Sequence, residues 1–314
     1  MADAHAAAPD SPPALADLWP AISAARQRDA DARLPFHILD QGLALPVGSV
    51  ARAHLGALAA WPEALRVTPT AVTLCLPAAQ RSAFFDTANR QLRDAGLVRA
   101  WRDETYPVIA LNLAADAWDG RAAPLATLER AAARFWGTTT FGAHCNGYLR
   151  GADGRPSHLW IARRALDKAV DPGLLDNLIA GGVPWGQTAA QAVLREGWEE
   201  AGLRPPQMQA LQPGRRFAVA RDVAEGLQQE LVSVFDLVLP PGLQPRNQDG
   251  EVHSLALMTA AQALGHAAAG DMTVDASLAT LDFALRHRLL AANLHQHLRA
   301  MSDGLWRGPA SLEQ

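Results

Sequence analysis

Cysteine is scarce in this chain, which has only Cys75 and Cys145 among its 314 residues. Two cysteines cannot form a disulfide framework, so the sequence predicts small buried thiols and a reducing, cytoplasmic compartment. No apolar run approaches the roughly 18 residues that a membrane-spanning helix needs. The first 15 residues contain Asp3 and Asp10 but no lysine or arginine, which does not match a secretory signal.

Runs of positive charge are also missing, and this argues against nucleic acid as a partner. The formal net charge is -4, with 49% hydrophobic and 19% charged residues. Such a balance predicts a globular protein in aqueous solution with an ample core. The length allows one large or two ordinary domains, and no internal repeat is visible.

The chemistry of the chain is concentrated in residues 181–203, which read GGVPWGQTAAQAVLREGWEEAGL. Alanines follow Thr188, a suitable N-cap, and predict a helix. On such a helix Glu196, Glu199 and Glu200 are three and four residues apart and share one face. Clustered carboxylates repel one another unless a cation lies among them, and hard oxygen ligands suit Mg²⁺ or Mn²⁺. Spacing alone also leaves open a solvated acidic face.

The stretch resembles the Nudix box, a 23-residue motif of glycines, an Arg-Glu pair and a Glu-Glu pair at fixed spacing. Two positions depart from the motif. Gln187 replaces its first glutamate and Gly197 replaces an aliphatic residue, for which tight packing is the expected reason. Seven residues occupy its fixed positions: Gly181, Arg195, Glu196, Glu199, Glu200, Gly202 and Leu203.

The resemblance implies a hydrolase that cleaves a phosphoanhydride bond of a diphosphate joined to a further group, by attack of water on phosphorus. It implies Glu196, Glu199 and Glu200 as ligands of Mg²⁺ or Mn²⁺. The backbone carbonyl of Gly181 is implied as a further ligand.

Proton transfer and orientation have their own expected residues. Glu199 or Glu200 is expected to take the proton of the attacking water. Arg195 is expected to orient the carboxylates through charge-assisted hydrogen bonds. Glu251, in the sequence DGEV, is a further candidate for a base or ligand, and a surface acid beside a hairpin is the equal alternative.

Five residues are candidates for substrate binding. Neighbours on a strand alternate, so only one of Arg163 and Arg164 can face the cleft, where it would hold the distal phosphate. His144 and Asn146 share a strand face and could contact the substrate ring, and Trp185 could stack on it. Satisfied structural hydrogen bonds, a strand-edge arginine and core packing are the alternatives for these residues.

The predicted elements form two parts. Residues 14–134 read as an N-terminal α+β domain and 138–301 as a Nudix α/β/α sandwich with a mixed sheet, with flexible tails at 1–13 and 302–314. Within the first part the patterns predict a helix over 14–32, two strands within 34–50, a helix with solvated arginines over 77–96, a strand over 101–111 and a helix over 125–135. A turn over 116–120 and three helices over 259–301 are also predicted.

Several segments outside the box indicate one subfamily of the Nudix proteins, among them EGLQQELVSVFDLVLP and DASLATLDFALRHRLL. They are similar to the Nudix subfamily associated with fungal thiamine pyrophosphokinase, which carries an N-terminal domain of unknown function. This implies hydrolysis of thiamine-type diphosphates, above all oxo- or oxy-analogues, to monophosphates. An 8-oxo-(d)GDP-type phosphatase and a non-catalytic nucleotide sensor are the alternatives. The expected partner is a small diphosphate, with no nucleic acid and no membrane, and a homodimer is left open.

Overall fold

The computed structural model describes residues 18–113 and 123–307. The tail predicted at 1–13 and the turn predicted at 116–120 therefore lie outside the described residues. Within the described ranges, no helix is both long and apolar enough to cross a membrane. Cys145 is buried and Cys75 is half-buried, and both thiols are free.

The described chain contains fourteen strands and seven α-helices. The strands are β1 Arg33–Asp40, β2 Leu43–Ala51, β3 Leu65–Val67, β4 Val72–Leu74, β5 Thr105–Val108, β6 Ala126–Glu129, β7 Thr139–Arg150, β8 Pro156–Arg164, β9 Leu175–Asn177, β10 Ile179–Gly182, β11 Gln212–Val223, β12 Gly226–Val238, β13 Val252–Thr259 and β14 Trp306–Arg307. The helices are α1 Ala21–Ala24, α2 Ala78–Asp94, α3 Ala133–Trp136, α4 Ala189–Ala201, α5 Ala260–Ala269, α6 Val274–Arg286 and α7 Ala292–Ser302. Short 3-10 helices lie at Arg52–Ala60, Leu111–Leu113, Arg130–Ala132, Pro205–Met208 and Asp303–Leu305.

The N-terminal part is built on a four-stranded sheet of order β2-β1-β4-β3, beside the two-stranded pair β5-β6. Its core is aromatic. Phe36 from β1, Phe85 from α2 and Trp136 from α3 are fully buried, and their ring centroids lie 5.0 to 6.3 Å apart. The Trp136 indole donates a hydrogen bond to the Asn89 side chain at 2.8 Å. The three elements are therefore joined around one cluster.

The C-terminal part is a mixed eight-stranded sheet of order β13-β8-β7-β12-β11-β14, with β10 paired to β7 and β9 paired to β8. Strands β7 and β12 run parallel, and the other pairings are antiparallel. Helix α4 packs on one face of the sheet, and helices α5 and α6 pack on the other. This arrangement confirms the α/β/α sandwich preceded by a smaller N-terminal domain.

The turn between β1 and β2 and the three final helices are confirmed. The helix predicted over 14–32 is wrong, because among its described residues only Ala21–Ala24 is helical. Pro20 starts this turn of helix, and after Ala25 the backbone instead hydrogen-bonds to β11, with Ala220 donating to Ala25 at 2.8 Å. Trp19, Ile22 and Ala25 are buried in the core that contains α6.

The helix predicted over 125–135 is also wrong in its first half. Ala126–Glu129 is a strand paired with β5, and its apolar residues Ala126 and Leu128 alternate with Thr127 and Glu129. This two-residue period fits a half-buried strand and not a helix.

Two further expectations change in detail. Arg81 does not lie on a solvated face, because its guanidinium is buried and donates to Asp40 at 2.7 Å and to the Leu39 carbonyl at 3.0 Å. The tail expected from 302 does not begin there, since Leu305 is buried and Trp306–Arg307 pairs with β11.

A buried ion-pair network ties β12 to α6 beneath the sheet. Asp236 accepts hydrogen bonds from Arg286 at 2.6 and 2.9 Å and lies 3.0 Å from Nε2 of His287. Arg286 also pairs with Asp282 at 2.7 Å, and Asn146 of β7 donates to Asp236 at 3.3 Å. Because these groups are buried, each charge depends on its partners.

We expect Asp236→Ala to destabilise the protein strongly. The change leaves the partly buried Arg286 with one carboxylate fewer, and breaking a buried pair costs about 3–5 kcal/mol. The free energy of unfolding, measured by urea titration, should fall by about 3 kcal/mol. Asp86→Ala is the control, because it removes an exposed carboxylate paired with Arg90, and it should leave the midpoint almost unchanged.

The same pair predicts a loss of stability in acid. Burial alone would raise the pKa of Asp236, but hydrogen bonds from His287 and Arg286 hold that pKa below its ordinary value of 3.8. A carboxylate with a lower pKa in the folded protein stabilises it above about pH 4 and loses this effect as the pH falls through the folded value. The stability difference between wild type and Asp236→Ala should therefore shrink below pH 4. An undiminished difference at about pH 2 would contradict this assignment.

Candidate active site

The box helix α4 is fixed at both ends by its own sequence. At its start, the Thr188 side chain accepts from the Gln191 amide at 3.2 Å, and the Gln191 side chain accepts from the Thr188 amide at 2.9 Å. This reciprocal pair is a capping box. At its end, Gly202 adopts φ 64° and closes the helix in the left-handed conformation. The carboxylates of the helix therefore stand on a rigid element.

Glycines allow the box helix to pack closely on its surroundings. A Cβ at Gly197 would lie 2.7 Å from Sδ and Cε of Met208, so the small residue explains why the aliphatic of the motif is missing here. A Cβ at Gly181 would collide with the Glu196 carboxylate. The tight packing expected at Gly197 is confirmed.

Arg195 holds two of the three box carboxylates. Its guanidinium lies 2.9 Å from Oε1 of Glu196 and 2.9 Å from Oε2 of Glu199, and it donates to the Gly182 carbonyl at 3.3 Å. The third carboxylate, Glu200, accepts from the Ala180 amide of β10 at 2.8 Å. The three glutamates thus belong to one cluster against the end of β10.

Burial has a large effect on these carboxylates. It raises the pKa of Glu196 to about 7; the charge of Glu199 adds to this rise, while those of Arg195 and Arg130 oppose it. Burial, with the charge of Glu196, also raises the pKa of Glu200 well above its ordinary range. Within residues 18–113 and 123–307, no three His, Cys, Asp or Glu side chains are gathered closely enough for a metal centre as they stand. Arg195 bridges Glu196 and Glu199 in this arrangement.

A cavity of about 150 Å³ opens beside this cluster, and Ala180 and Gly181 form part of its wall. Its most prominent lining is cationic: five arginines surround it, namely Arg99, Arg102, Arg130, Arg134 and Arg164. Guanidinium groups bind phosphate oxygens in a forked geometry, so this wall suits a phosphorylated ligand.

Four of these arginines also lie near carboxylates. Arg164 donates to Asp176 at 3.0 Å, Arg130 to Glu104 at 3.1 Å and Arg102 to Glu251 at 2.8 Å. Arg134 lies 3.8 Å from Glu225. Each guanidinium has five N–H donors, so these contacts hold the arginines in place without using all of their donors.

An acidic group lies across the cavity from β10. The Gln228 side chain donates to Glu230 at 3.0 Å and to Oδ2 of Asp275 at 3.0 Å, and all three residues line the cavity. Oδ1 of Asp275 is closed off from solvent and has no hydrogen-bond partner in the described chain. Burial, with the nearby charge of Glu230, raises the pKa of Asp275 to about 6. A ligand N–H group would satisfy this oxygen.

The residues expected to bind substrate separate into two groups. His144 and Arg164 line the cavity, and the His144 ring lies 2.8 Å from the Asn177 side chain. Asn146 is buried deeper, where its side chain bonds to Asp236, Asn177 and a backbone carbonyl. Arg163 points away and donates to the Gly173 carbonyl at 2.7 Å.

Glu251 and Trp185 lie elsewhere. Both oxygens of Glu251 are in ion pairs, one with Arg102 and one with Lys168. These two cations outweigh the effect of burial and lower the pKa of Glu251. Trp185 borders a second, mostly apolar cavity of about 210 Å³, together with Gln187. The roles predicted for Glu251 and Trp185 stay predictions.

Arg130, Glu230 and Asp275 are among the residues of the first cavity that were not singled out from the sequence. No local motif marks any of the three. The available signal was indirect, because Glu230 follows Gln228 at strand spacing on one face of β12.

Comparisons with known proteins identify the two parts of the chain. Residues 142–278 match the NUDIX domain model, and residues 18–140 match a domain of unknown function (DUF4743). The chain is 34% identical over 226 residues to Nudix hydrolase 20, chloroplastic, of Arabidopsis thaliana, which covers 66% of this chain and 55% of that protein. It is 34% identical over 208 residues to Nudix hydrolase 24, chloroplastic, of the same plant, covering 63% and 52%.

The chain thus spans about half the length of these curated relatives. Among solved structures, DR0079 from Deinococcus radiodurans is 24% identical, with a TM-score of 0.33, and the match covers 46% of this chain and 81% of that one. The cytoplasmic location stays a prediction. The chain carries a Nudix domain preceded by a domain of unknown function, and the two plant relatives are named Nudix hydrolases.

Proposed function

We propose that the protein is a metal-dependent hydrolase that cleaves the phosphoanhydride bond of a small organic diphosphate. One observation carries the proposal: the box carboxylates and the arginine-lined cavity meet at the end of β10. Gly181 lines the cavity on one side, and it packs against the Glu196 carboxylate on the other. A diphosphate held by the arginines would therefore lie beside the carboxylate cluster.

The chemistry of the donor set fits a hard divalent ion such as Mg²⁺ or Mn²⁺. Glu196 and Glu200 are buried carboxylates with raised pKa values, so a cation beside them would stabilise their charged forms. Glu196, Glu199 and Glu200 would hold the ion, with the Gly181 carbonyl as a further ligand. When bound, such an ion supplies charge neutralisation on the diphosphate and activation of water.

The protein side chains have separable tasks in this proposal. Arg195 keeps Glu196 and Glu199 in a fixed orientation through its two ion pairs. Arg164 faces the cavity from the Nudix domain and would hold a phosphate, whereas Arg163 would not. Glu199 or Glu200 would accept the proton of the attacking water, and Glu199 is the more exposed of the two.

The organic group of the substrate is proposed to be a flat heterocycle with an N–H donor. The unpaired Oδ1 of Asp275 supports this, because a buried carboxylate oxygen requires a donor. The resemblance to the subfamily associated with fungal thiamine pyrophosphokinase favours oxo- or oxy-thiamine diphosphate, which would be cut to the monophosphate. The 8-oxoguanine ring of 8-oxo-dGDP also presents N–H groups, so this nucleotide is the second candidate.

We expect Glu200→Gln to abolish hydrolysis while the fold is kept. The change removes a charge and preserves the shape, and the Gln oxygen can still accept from the Ala180 amide. The value of kcat should fall by at least about 100-fold, and Mn²⁺ affinity measured by calorimetry should fall as well. Glu63→Gln, at an exposed position of the N-terminal part, should behave as wild type. Wild-type turnover by Glu200→Gln would sink the assignment of Glu200 as a metal ligand.

Substrate choice is tested by phosphate release with Mg²⁺ on thiamine diphosphate, its oxo- and oxy-analogues, 8-oxo-dGDP, ADP-ribose and nucleoside triphosphates. We expect the highest kcat/KM on the thiamine analogues, and the highest value on 8-oxo-dGDP would move the protein to nucleotide sanitation. Tight binding without turnover on any of them would instead indicate a sensor.

Asp275→Asn should raise KM for the preferred substrate by about tenfold and change kcat little, because it weakens a contact with the organic group alone. In wild type, Asp275 takes up a proton as the pH falls below about 6. The KM should therefore rise below pH 6 in wild type, and this step should be missing in Asp275→Asn. An identical KM profile in both proteins would mean that Asp275 is not the group that causes this step.

A further inference from the structure

We propose that the N-terminal domain of unknown function is part of the active site, and that its Arg130 binds the phosphate end of the substrate together with Arg102 and Arg134. The inference deepens the proposed function and depends on it for the identity of the substrate. The cavity supports it directly: four of its five lining arginines, at 99, 102, 130 and 134, come from the N-terminal part and only Arg164 from the Nudix domain.

A single carboxylate aligns the two segments that carry these arginines. Glu129, at the end of β6, accepts from the Arg102 amide at 2.9 Å and from the Ala131 amide at 3.2 Å. The loop before β5 and the 3-10 turn after β6 are therefore held side by side. Glu129 itself is half-buried and does not line the cavity. Its geometry positions the arginine segments and leaves their guanidinium groups directed to the cavity.

Arg130 lies against the backbone of the Nudix box. A Cβ at Gly182 would lie 2.7 Å from the Arg130 guanidinium carbon and would collide with the Tyr106 hydroxyl. Tyr106 in turn donates to the Phe141 carbonyl of β7 at 3.3 Å. The N-terminal domain thus contacts the box backbone at Gly182, next to Gly181 and the carboxylate cluster. Only a residue without a side chain permits this approach.

Contacts within its own domain hold the Arg130 guanidinium in place. One of its Nη atoms donates to Glu104, and the guanidinium lies 5.7 Å from the Tyr106 ring centroid. These contacts fix the planar group while further N–H donors remain for a phosphate.

A purely structural role is the competing explanation, since Arg102 and Arg130 both form ion pairs at the junction of the domains. The two explanations differ in one measurable quantity. A structural arginine affects the unfolding temperature of the free protein. A phosphate-binding arginine affects the affinity for a free anion in the folded protein.

The test is calorimetric binding of inorganic pyrophosphate to the full chain, with Mg²⁺ and separately with a chelator. Arg130→Gln should weaken pyrophosphate binding by about tenfold or more in both conditions, since charge-assisted hydrogen bonds are lost. Arg130→Lys should recover part of the affinity, because it keeps the charge and loses the fork. Arg90→Gln, an exposed arginine of α2 in the same domain, is the matched control and should bind as wild type.

A second variant disturbs the contact between Gly182 and Arg130 without changing any charge. Gly182→Ala should displace the Arg130 and Tyr106 side chains and weaken pyrophosphate binding in the same direction. The KM of the preferred diphosphate should rise in both variants. A cooperative unfolding transition, measured on each variant without ligand, shows that the variant is folded. Unchanged pyrophosphate affinity in folded Arg130→Gln would overturn the proposal, whatever its unfolding temperature.

Failure of the proposed function gives a different result. If no diphosphate is hydrolysed and pyrophosphate binding still depends on Arg130, the hydrolase assignment is wrong and the anion-binding role of Arg130 is kept. If diphosphates are hydrolysed and neither KM nor pyrophosphate affinity depends on Arg130, the phosphate-binding role of Arg130 is wrong and the hydrolase assignment is kept.

Discussion

The structure depends on one electrostatic constraint: acidic groups are buried close together and need compensating positive charge. Glu196 and Glu200 lie on a rigid helix whose caps leave them little freedom to separate. Burial makes their charged forms costly, and an adjacent cation or a hydrogen bond such as that from the Ala180 amide lowers that cost. Arg195 supplies part of the compensating charge from the same helix, and Arg130 supplies a further part from the other domain. A site assembled in this way is attractive to a metal ion and to the phosphate that the metal would neutralise.

This constraint also gives the N-terminal domain a place in the chemistry. The domain has its own aromatic core, so it does not need the sandwich in order to bury Phe36, Phe85 and Trp136. Its contribution at the junction is instead polar, through Arg102 on Glu251 and Arg130 beside Gly182. Polar contacts at a junction determine orientation more than stability. The two domains therefore share one cavity, while the aromatic core of the N-terminal sheet remains its own.

The sequence was sufficient where the information is local. The position of the box helix follows from a cap and a three-and-four spacing, and both appear as expected around Thr188 and Glu196. Arg130 could not be found in this way, because its position depends on strand β6. The alanines and leucines around this strand led to the prediction of a helix instead. Asp275 was missed for another reason. Its side chain is held by a hydrogen bond from Gln228, 47 positions away, and no pattern within either segment predicts that contact. Long-range contacts of single charged residues are set by topology, which the sequence alone leaves open.

The short helix α1 has a consequence for where the Nudix domain begins. Trp19 donates from its indole to the Ser277 carbonyl of α6 at 3.1 Å, and Ile22 and Ala25 are buried beside it. These residues precede the N-terminal sheet in the chain, yet they fill the core of the sandwich that follows it. The sandwich is therefore a discontinuous folding unit, closed by a segment that is synthesised first. A fragment that starts at β7 would contain the whole box and still lack part of its own hydrophobic core.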